Sequence, residues 1–180
     1  MTRTRYYTAS SIDGFIATDD HSLSWLLSRD IDEKGPMNHT DFMSGIGALA
    51  MGASTYNWIC SQITQDQWPY EMPCWVFTHG SAEPPADTGP SGPDLRFVQG
   101  DVAPVHAEMA TVAGDKDIWL VGGGDLAGQF AAAGLLDEVN VQYAPVTLGS
   151  GAPLLPRHVE LRLNEIDRNG EFACVRFDVL

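Results

Sequence analysis

Positive charge is scarce in this chain. Ten lysines and arginines stand against 24 aspartates and glutamates, a formal net charge of −14. From Gly35 through Leu95 there is neither lysine nor arginine. Nucleic acid and anionic membrane surfaces both require basic patches, so neither is expected as a partner. An anionic ligand held by that middle region must rest on backbone amides, hydroxyls or histidine. Cysteine is sparse too. Cys60, Cys74 and Cys174 form no CxxC pair and are expected as buried free thiols. His21, His39, His79, His106 and His158 never reach a metal-holding spacing, so no metal site is expected. No apolar run is long enough to cross a bilayer. The opening MTRTRYYTASS lacks the apolar centre of a secretory signal, so a cytoplasmic location is expected.

The 180 residues are 44% hydrophobic and 19% charged, which suits one well-buried domain spanning residues 1–180. The pattern predicts strands at Arg3 to Ser10, Ala48 to Met51, CWVFTH, LRFVQ, DIWLVGG and DEVNVQYAPV. Helices are predicted from about Pro36 to Gly45 and from a Ser54 or Thr55 cap to Gln62. Two more should run from Asp101 to about Val112 and from Asp125 to a stop at Gly134. Asp13-Gly14 marks a turn, and Ser81 to Asp94 reads as a Pro- and Gly-rich loop. The C-terminus reads as two strands joined at Asn169-Gly170. The expected fold is therefore α/β, with a mixed, mainly parallel sheet and an antiparallel C-terminal hairpin. Ligands in such sheets bind beyond the carboxyl ends of the strands. Gly52, Thr78 and Gly122 all follow strands and are candidates for one shared groove.

The stretch VGGGDLAGQF, Val121 to Phe130, is the strongest local signal. Glycine lets a backbone approach a phosphate closely, and a following helix N-terminus offers N–H groups and partial positive charge. The plain alternative is a tight turn with no ligand. GxGxxA can be read at Gly122, Gly124 and Ala127, but a dinucleotide fingerprint needs an acid about 20 residues on to hold a ribose. The next strand ends in Ala144-Pro145-Val146-Thr147, without one. No Gly-Lys-Ser/Thr follows either, which removes a Walker loop.

Several separated motifs share one pattern: TASSIDGFIA, SWL, ALAMGASTYNW, VFTH, WLVGGGDLAGQFAAAGLLDEV and APVTLGSGAPLLP. In this order, over almost the whole chain, they resemble the dihydrofolate reductase-like family. The branch is the one that includes the reductase domain of bacterial riboflavin biosynthesis. The resemblance implies a three-layer α/β/α fold and an NAD(P)H-dependent reductase, usually using NADPH, with NADH as the variant. It also implies a homodimer and a small, planar heterocyclic substrate of pteridine or aminopyrimidine type. Carried over by position, Ala9 and Ile16 would meet the nicotinamide carboxamide through their backbones. Gly52, Ala53, Ser54 and Thr55 would hold the pyrophosphate side of the cofactor from one helix N-terminus. Val121, Gly122, Gly123, Gly124, Asp125 and Leu126 would hold it from the other, and Thr78 and His79 would flank the adenosine ribose.

Three departures from that family follow. Ala53 stands in MGASTY where the family often has the arginine that meets a 2′-phosphate. Ser54 to Phe77 contains no basic residue, which argues against a folate glutamate tail. Only Arg157, Lys34 and Arg29 are placed to meet a substrate's ribose phosphate. Third, the proton donor is not marked. Asp30 follows Trp25 by a spacing like the family's tryptophan and acid, so both are candidate catalytic residues. Asp32 and Glu33 lie beside Asp30, and the alternative is that all three are solvated charges. Trp58, Trp68, Trp75 and Tyr70 read more simply as core or loop anchors than as pocket walls. Asp13 reads as shaping its turn. Two other readings stay open: a non-catalytic nucleotide-binding protein on the same fold, and a structural subunit with no ligand-sized pocket.

Overall fold

The computed structural model describes residues 2–63, 68–80 and 92–180. Its elements run β1 (Thr4–Ser11), β2 (Phe15–Ala17), α1 (Ser24–Leu27), α2 (His39–Ser44), β3 (Ile46–Gly52), α3 (Ala53–Gln62) and β4 (Cys74–Phe77). They continue as β5 (Leu95–Val98), α4 (Val102–Ala113), β6 (Asp117–Gly122), α5 (Gly124–Ala132), β7 (Glu138–Ala144), β8 (Ala152–Pro153), β9 (Leu161–Asn169) and β10 (Phe172–Val179). Most of the expected loop from Ser81 to Asp94, residues 81–91, lies outside the described residues.

One sheet has the order β5-β4-β3-β6-β1-β7-β10-β9. The pairs from β5 to β7 are parallel, and β10 is antiparallel to both β7 and β9. Side chains on a strand alternate between faces, and both faces here are apolar. Tyr6, Ala48, Ala50, Ile118 and Leu120 turn to one face and pack with α4 and α5. Tyr7, Leu49, Met51 and Trp119 turn to the other and pack with α2 and α3. The result is the three-layer α/β/α arrangement, mainly parallel, with an antiparallel edge. Cys60, Cys74 and Cys174 are free thiols, the first half-buried and the others buried. Among the described residues no helix is long and apolar enough to cross a membrane.

Three local expectations change. The second helix starts at His39, not Pro36, because Met37 is left-handed (φ 52) and Asn38 caps, its side chain accepting from Asp41 N at 2.8 Å. The third helix starts at Ala53, with Gly52 at the N-cap and no side-chain cap from Ser54 or Thr55. In the C-terminal hairpin the two-residue turn is Gly170-Glu171, since Asn169 still pairs with Phe172. Asn169 is buried, and its amide holds Asp32 N, Asp32 O and Pro36 O at 2.9–3.1 Å.

Candidate active site

The site begins where two parallel strands part. β1 pairs with β6 only from Thr4↔Ile118 to Tyr6↔Leu120, but with β7 as far as Ser11↔Ala144. In a parallel ladder, alternate residues turn both backbone groups to the same neighbour. Arg3 O accepts from Ile118 N and Tyr7 O accepts from the Trp119 indole, so odd residues of β1 face β6. Ala9 follows the same alternation beyond the point where pairing with β6 ends. Its backbone is turned toward a gap that Thr8 and Val121 line from either side.

A groove leads from this gap across the strand ends in two compartments. The first, about 320 Å³, has Ile16, Leu23, Trp58 and Pro153 among its walls. The second, about 270 Å³, is bounded by Ala53, Thr78, His79, Gln99 and Gly100. They share Ser54, Thr55, Gly123 and Asp125. These four residues belong to the starts of α3 and α5, whose N-caps are Gly52 and Gly123 and carry no side-chain cap. Two helix N-termini therefore converge where the compartments meet, each with the first-turn N–H groups and partial positive charge that favour an anion.

The glycines there serve packing as well as access. A Cβ on Gly124 would run into Pro153 O and Leu154 O, with Leu154 C only 2.7 Å away. A Cβ on Gly122 would sit 3.0 Å from the Thr55 hydroxyl oxygen. Gly123 holds φ 25, a conformation that L side chains rarely adopt. Asp125, in the first turn of α5, accepts from Arg157 Nη2 at 2.9 Å and from Gln129 Nε2 at 2.8 Å. These bonds, the arginine's first, hold its carboxyl below the usual range.

Most of the expected cofactor contacts meet in this groove. Ile16, Ser54, Thr55, Val121, Gly122, Gly123, Gly124 and Asp125 line the first compartment. Gly52, Ala53, Thr78, His79 and Leu126 line the second. Ala9 instead packs against the cluster of Trp25, Ala144, Phe172 and Cys174, leaving only its backbone toward the gap. Trp25 is buried in that cluster and lines neither compartment.

Asp30 stands apart from the groove. It is exposed at the tip of the C-terminal hairpin, where its N donates to Glu171 Oε2 at 2.6 Å and its O accepts from Glu171 N at 3.0 Å. The segment after α1 is drawn to that hairpin by the buried Asn169, which leaves the Asp30 carboxyl exposed and outside both compartments.

Sequence reasoning preferred Trp58 as a core or loop anchor, but it lines the first compartment one turn after Ser54 while its inner face joins the α3 core. Their i, i+4 spacing was the available signal. Sequence reasoning passed over Thr8, His21 and Leu23. His21 has φ 59 in a turn closed by its N donating to Thr18 O at 2.9 Å, and no local pattern marks such a turn. Trp68, Trp75 and Tyr70 do belong to the core. Asp13 shapes its turn, accepting from the Ser11 hydroxyl at 2.6 Å.

A third concavity, about 470 Å³, lies at the opposite end of the sheet. Its arginines are consumed locally, Arg3 by Glu138 at 3.0 Å and Arg162 by Asp178 at 3.0 Å. Among the described residues no cluster of three or more His, Cys, Asp or Glu is placed to hold a metal.

Known proteins share this fold. An uncharacterized protein of Bacillus subtilis (strain 168), YwjB, is 30% identical over 179 residues, covering 97% of each chain. A solved protein of Shewanella sp. PV-4, assigned provisionally to riboflavin biosynthesis, superposes with TM-score 0.82 at 22% identity over 99% of both chains. Dihydrofolate reductase of Enterococcus faecalis, solved with NADP(H), superposes with TM-score 0.56 at 12% identity, covering 98% of this chain and 96% of that one. The fold is thus dihydrofolate reductase-like. The family model for the RibD C-terminal domain matches residues 4–174, and the chain belongs to that family.

Proposed function

We propose that the protein is an oxidoreductase that binds a reduced nicotinamide dinucleotide across its strand ends and reduces a small planar heterocycle. The observation that carries this reading is one groove of two compartments meeting at two helix N-termini without side-chain caps, next to a parted strand pair. The length and polarity of that groove fit a dinucleotide: an amide-rich waist for a pyrophosphate and a backbone edge at each side.

Bound there, the cofactor supplies a hydride, and orientation is the protein's main contribution. Gly52 to Thr55 and Gly123 to Leu126 hold the pyrophosphate through N–H groups and hydroxyls. The backbones of Ala9 and Ile16 fix the carboxamide, and Thr78 and His79 flank the adenosine ribose. Leu23 and Trp58 give the first compartment flat apolar walls suited to a pteridine or aminopyrimidine ring. No lysine or arginine lines that compartment among the described residues, which favours an uncharged ring over a phosphorylated one. Of its titratable side chains, Asp125 is tied to Arg157, while His21, in no ion pair among the described residues, is the candidate proton donor.

The test is binding followed by turnover. NADH and NADPH are titrated against tryptophan fluorescence, and reduced-nicotinamide absorbance is then followed with pteridine, pyrimidine and quinone acceptors. Saturable binding and acceptor-dependent oxidation are expected. His21→Asn, which tolerates the left-handed backbone, should lower turnover about a hundredfold with dinucleotide affinity unchanged. Absence of binding by either dinucleotide defeats the reading, and binding without turnover on any acceptor reduces it to nucleotide binding.

A further inference from the structure

Away from the helix N-termini it shares with the first, the second compartment offers very little to a phosphate. Among the described residues, the charged or titratable side chains lining it are His79 and Asp125. Asp125 is paired with Arg157 and bonded to Gln129, so its charge is already matched and the compartment offers no unpaired arginine or lysine. No arginine or lysine from residues 35–95 can add a cation, because that stretch contains none, residues 64–67 and 81–91 included.

The nearest basic groups are committed elsewhere. Arg96 is forked onto Asp94 at 2.9 Å, bonded to Glu108 at 2.6 Å and stacked over Trp75 at 4.4 Å. Arg157 spends its charge on Asp125, and its stem lies so close over α5 that a Cβ on Gly128 would sit 2.5 Å from Arg157 Cδ. What remains for a ligand is neutral and polar: the Thr78 hydroxyl, the Gln99 and Gln129 amides and the backbone of Gly100.

A ribose 2′-hydroxyl donates to a carboxylate or an amide oxygen, whereas a 2′-phosphate brings nearly two more negative charges into the same space. A compartment without an unpaired cation leaves that added charge uncompensated, while its neutral polar groups still meet the hydroxyl. Resting on the dinucleotide reading above, we propose that this compartment selects a ribose bearing a free 2′-hydroxyl. The protein therefore uses NADH in preference to NADPH, because no unpaired lysine or arginine lines the compartment to meet a 2′-phosphate.

Dissociation constants for NADH and NADPH, measured by calorimetry on four proteins, test this. The wild type should bind NADH about tenfold more tightly than NADPH, the scale of one charge-assisted contact. Ala53→Arg should reverse the order. Asp125→Asn frees Arg157, so NADPH should gain several-fold relative to NADH. Adding Arg157→Ala to Asp125→Asn should cancel part of that gain. A wild type that binds NADPH as well as or better than NADH overturns the proposal, as does an unchanged ratio in Asp125→Asn. If neither dinucleotide binds the wild type, the dinucleotide reading itself falls and this proposal with it.

Discussion

At the scale of single residues, two glycines of the groove make opposite predictions. Gly124 is pressed against the Pro153 and Leu154 backbone, which cannot move aside as a flexible side chain would. Gly124→Ala should therefore destabilise the fold by about 1–3 kcal/mol, the usual cost of overpacking. Gly52 has extended backbone (φ −80) and nothing within 4 Å of a built Cβ. Gly52→Ala should leave the urea midpoint near that of the wild type while its methyl intrudes on the ligand's path and weakens dinucleotide binding. Equal loss of stability in the two variants would refute this division of roles. The triple glycine itself was legible in the sequence because few other reasons put three glycines between a strand and a helix. The reason Gly124 in particular must be glycine was not legible, since its crowding comes from residues almost thirty positions away.

At the scale of elements, the sequence disclosed the strand-helix alternation and the hairpin, whose signals are local. It disclosed less of what joins them. The turn between β1 and β2 is tied to the segment after β7 by one carboxylate. Asp13 accepts from Leu148 N at 3.0 and 3.1 Å, from Gly149 N at 2.7 Å and from the Ser11 hydroxyl at 2.6 Å. This strap sets β2 against β8, and both strands contribute to the groove wall through Ile16 and Pro153. The Ser11 bond first, then the backbone bonds, hold the Asp13 carboxyl below its ordinary value. Its folded-state pKa is depressed, so its contribution is present above the unfolded value near 3.9 and is lost as pH falls through the folded value. Asp13→Asn should weaken dinucleotide binding several-fold at neutral pH, by loosening that wall. It should also shrink the drop in urea midpoint between about pH 5 and pH 3. A variant matching the wild type in both respects would show the strap to be incidental. The placement of Asp30 has the same origin in reverse: its spacing from Trp25 is a local signal, and the distant hairpin draws it away from the groove.

At the scale of the whole molecule, acid should unfold the protein in two stages, because each face of the sheet holds a histidine against an aromatic ring. His39 opens α2 and lies edge-on to Trp119, with ring centroids 5.4 Å apart. His106 on α4 meets the Thr4 hydroxyl through Nε2 at 2.8 Å and lies edge-on to Phe130 at 6.1 Å. Burial pushes both pKa values down, partly offset at His106 by the charge of Asp137. For His39 the partial positive charge at the helix N-terminus works in the same direction as burial. A histidine whose folded value is depressed is protonated first in the unfolded chain. Stability is thus level above the unfolded value near 6.5 and falls between that pH and the lower folded values. The carboxylates held low by partners, Asp13, Asp94, Asp125, Glu171 and Asp178, act only further down, below about pH 4. Neutralising part of the −14 net charge works the other way by relieving self-repulsion. That background is common to wild type and variant, so a comparison isolates the histidines. His39→Phe keeps the ring contacts, and His106→Gln keeps a partner for Thr4. In a series of urea midpoints from pH 8 to pH 3, the double variant should lose the upper fall and retain the lower one. An upper fall that survives both substitutions would mean that some other group, not these two imidazoles, sets the first stage.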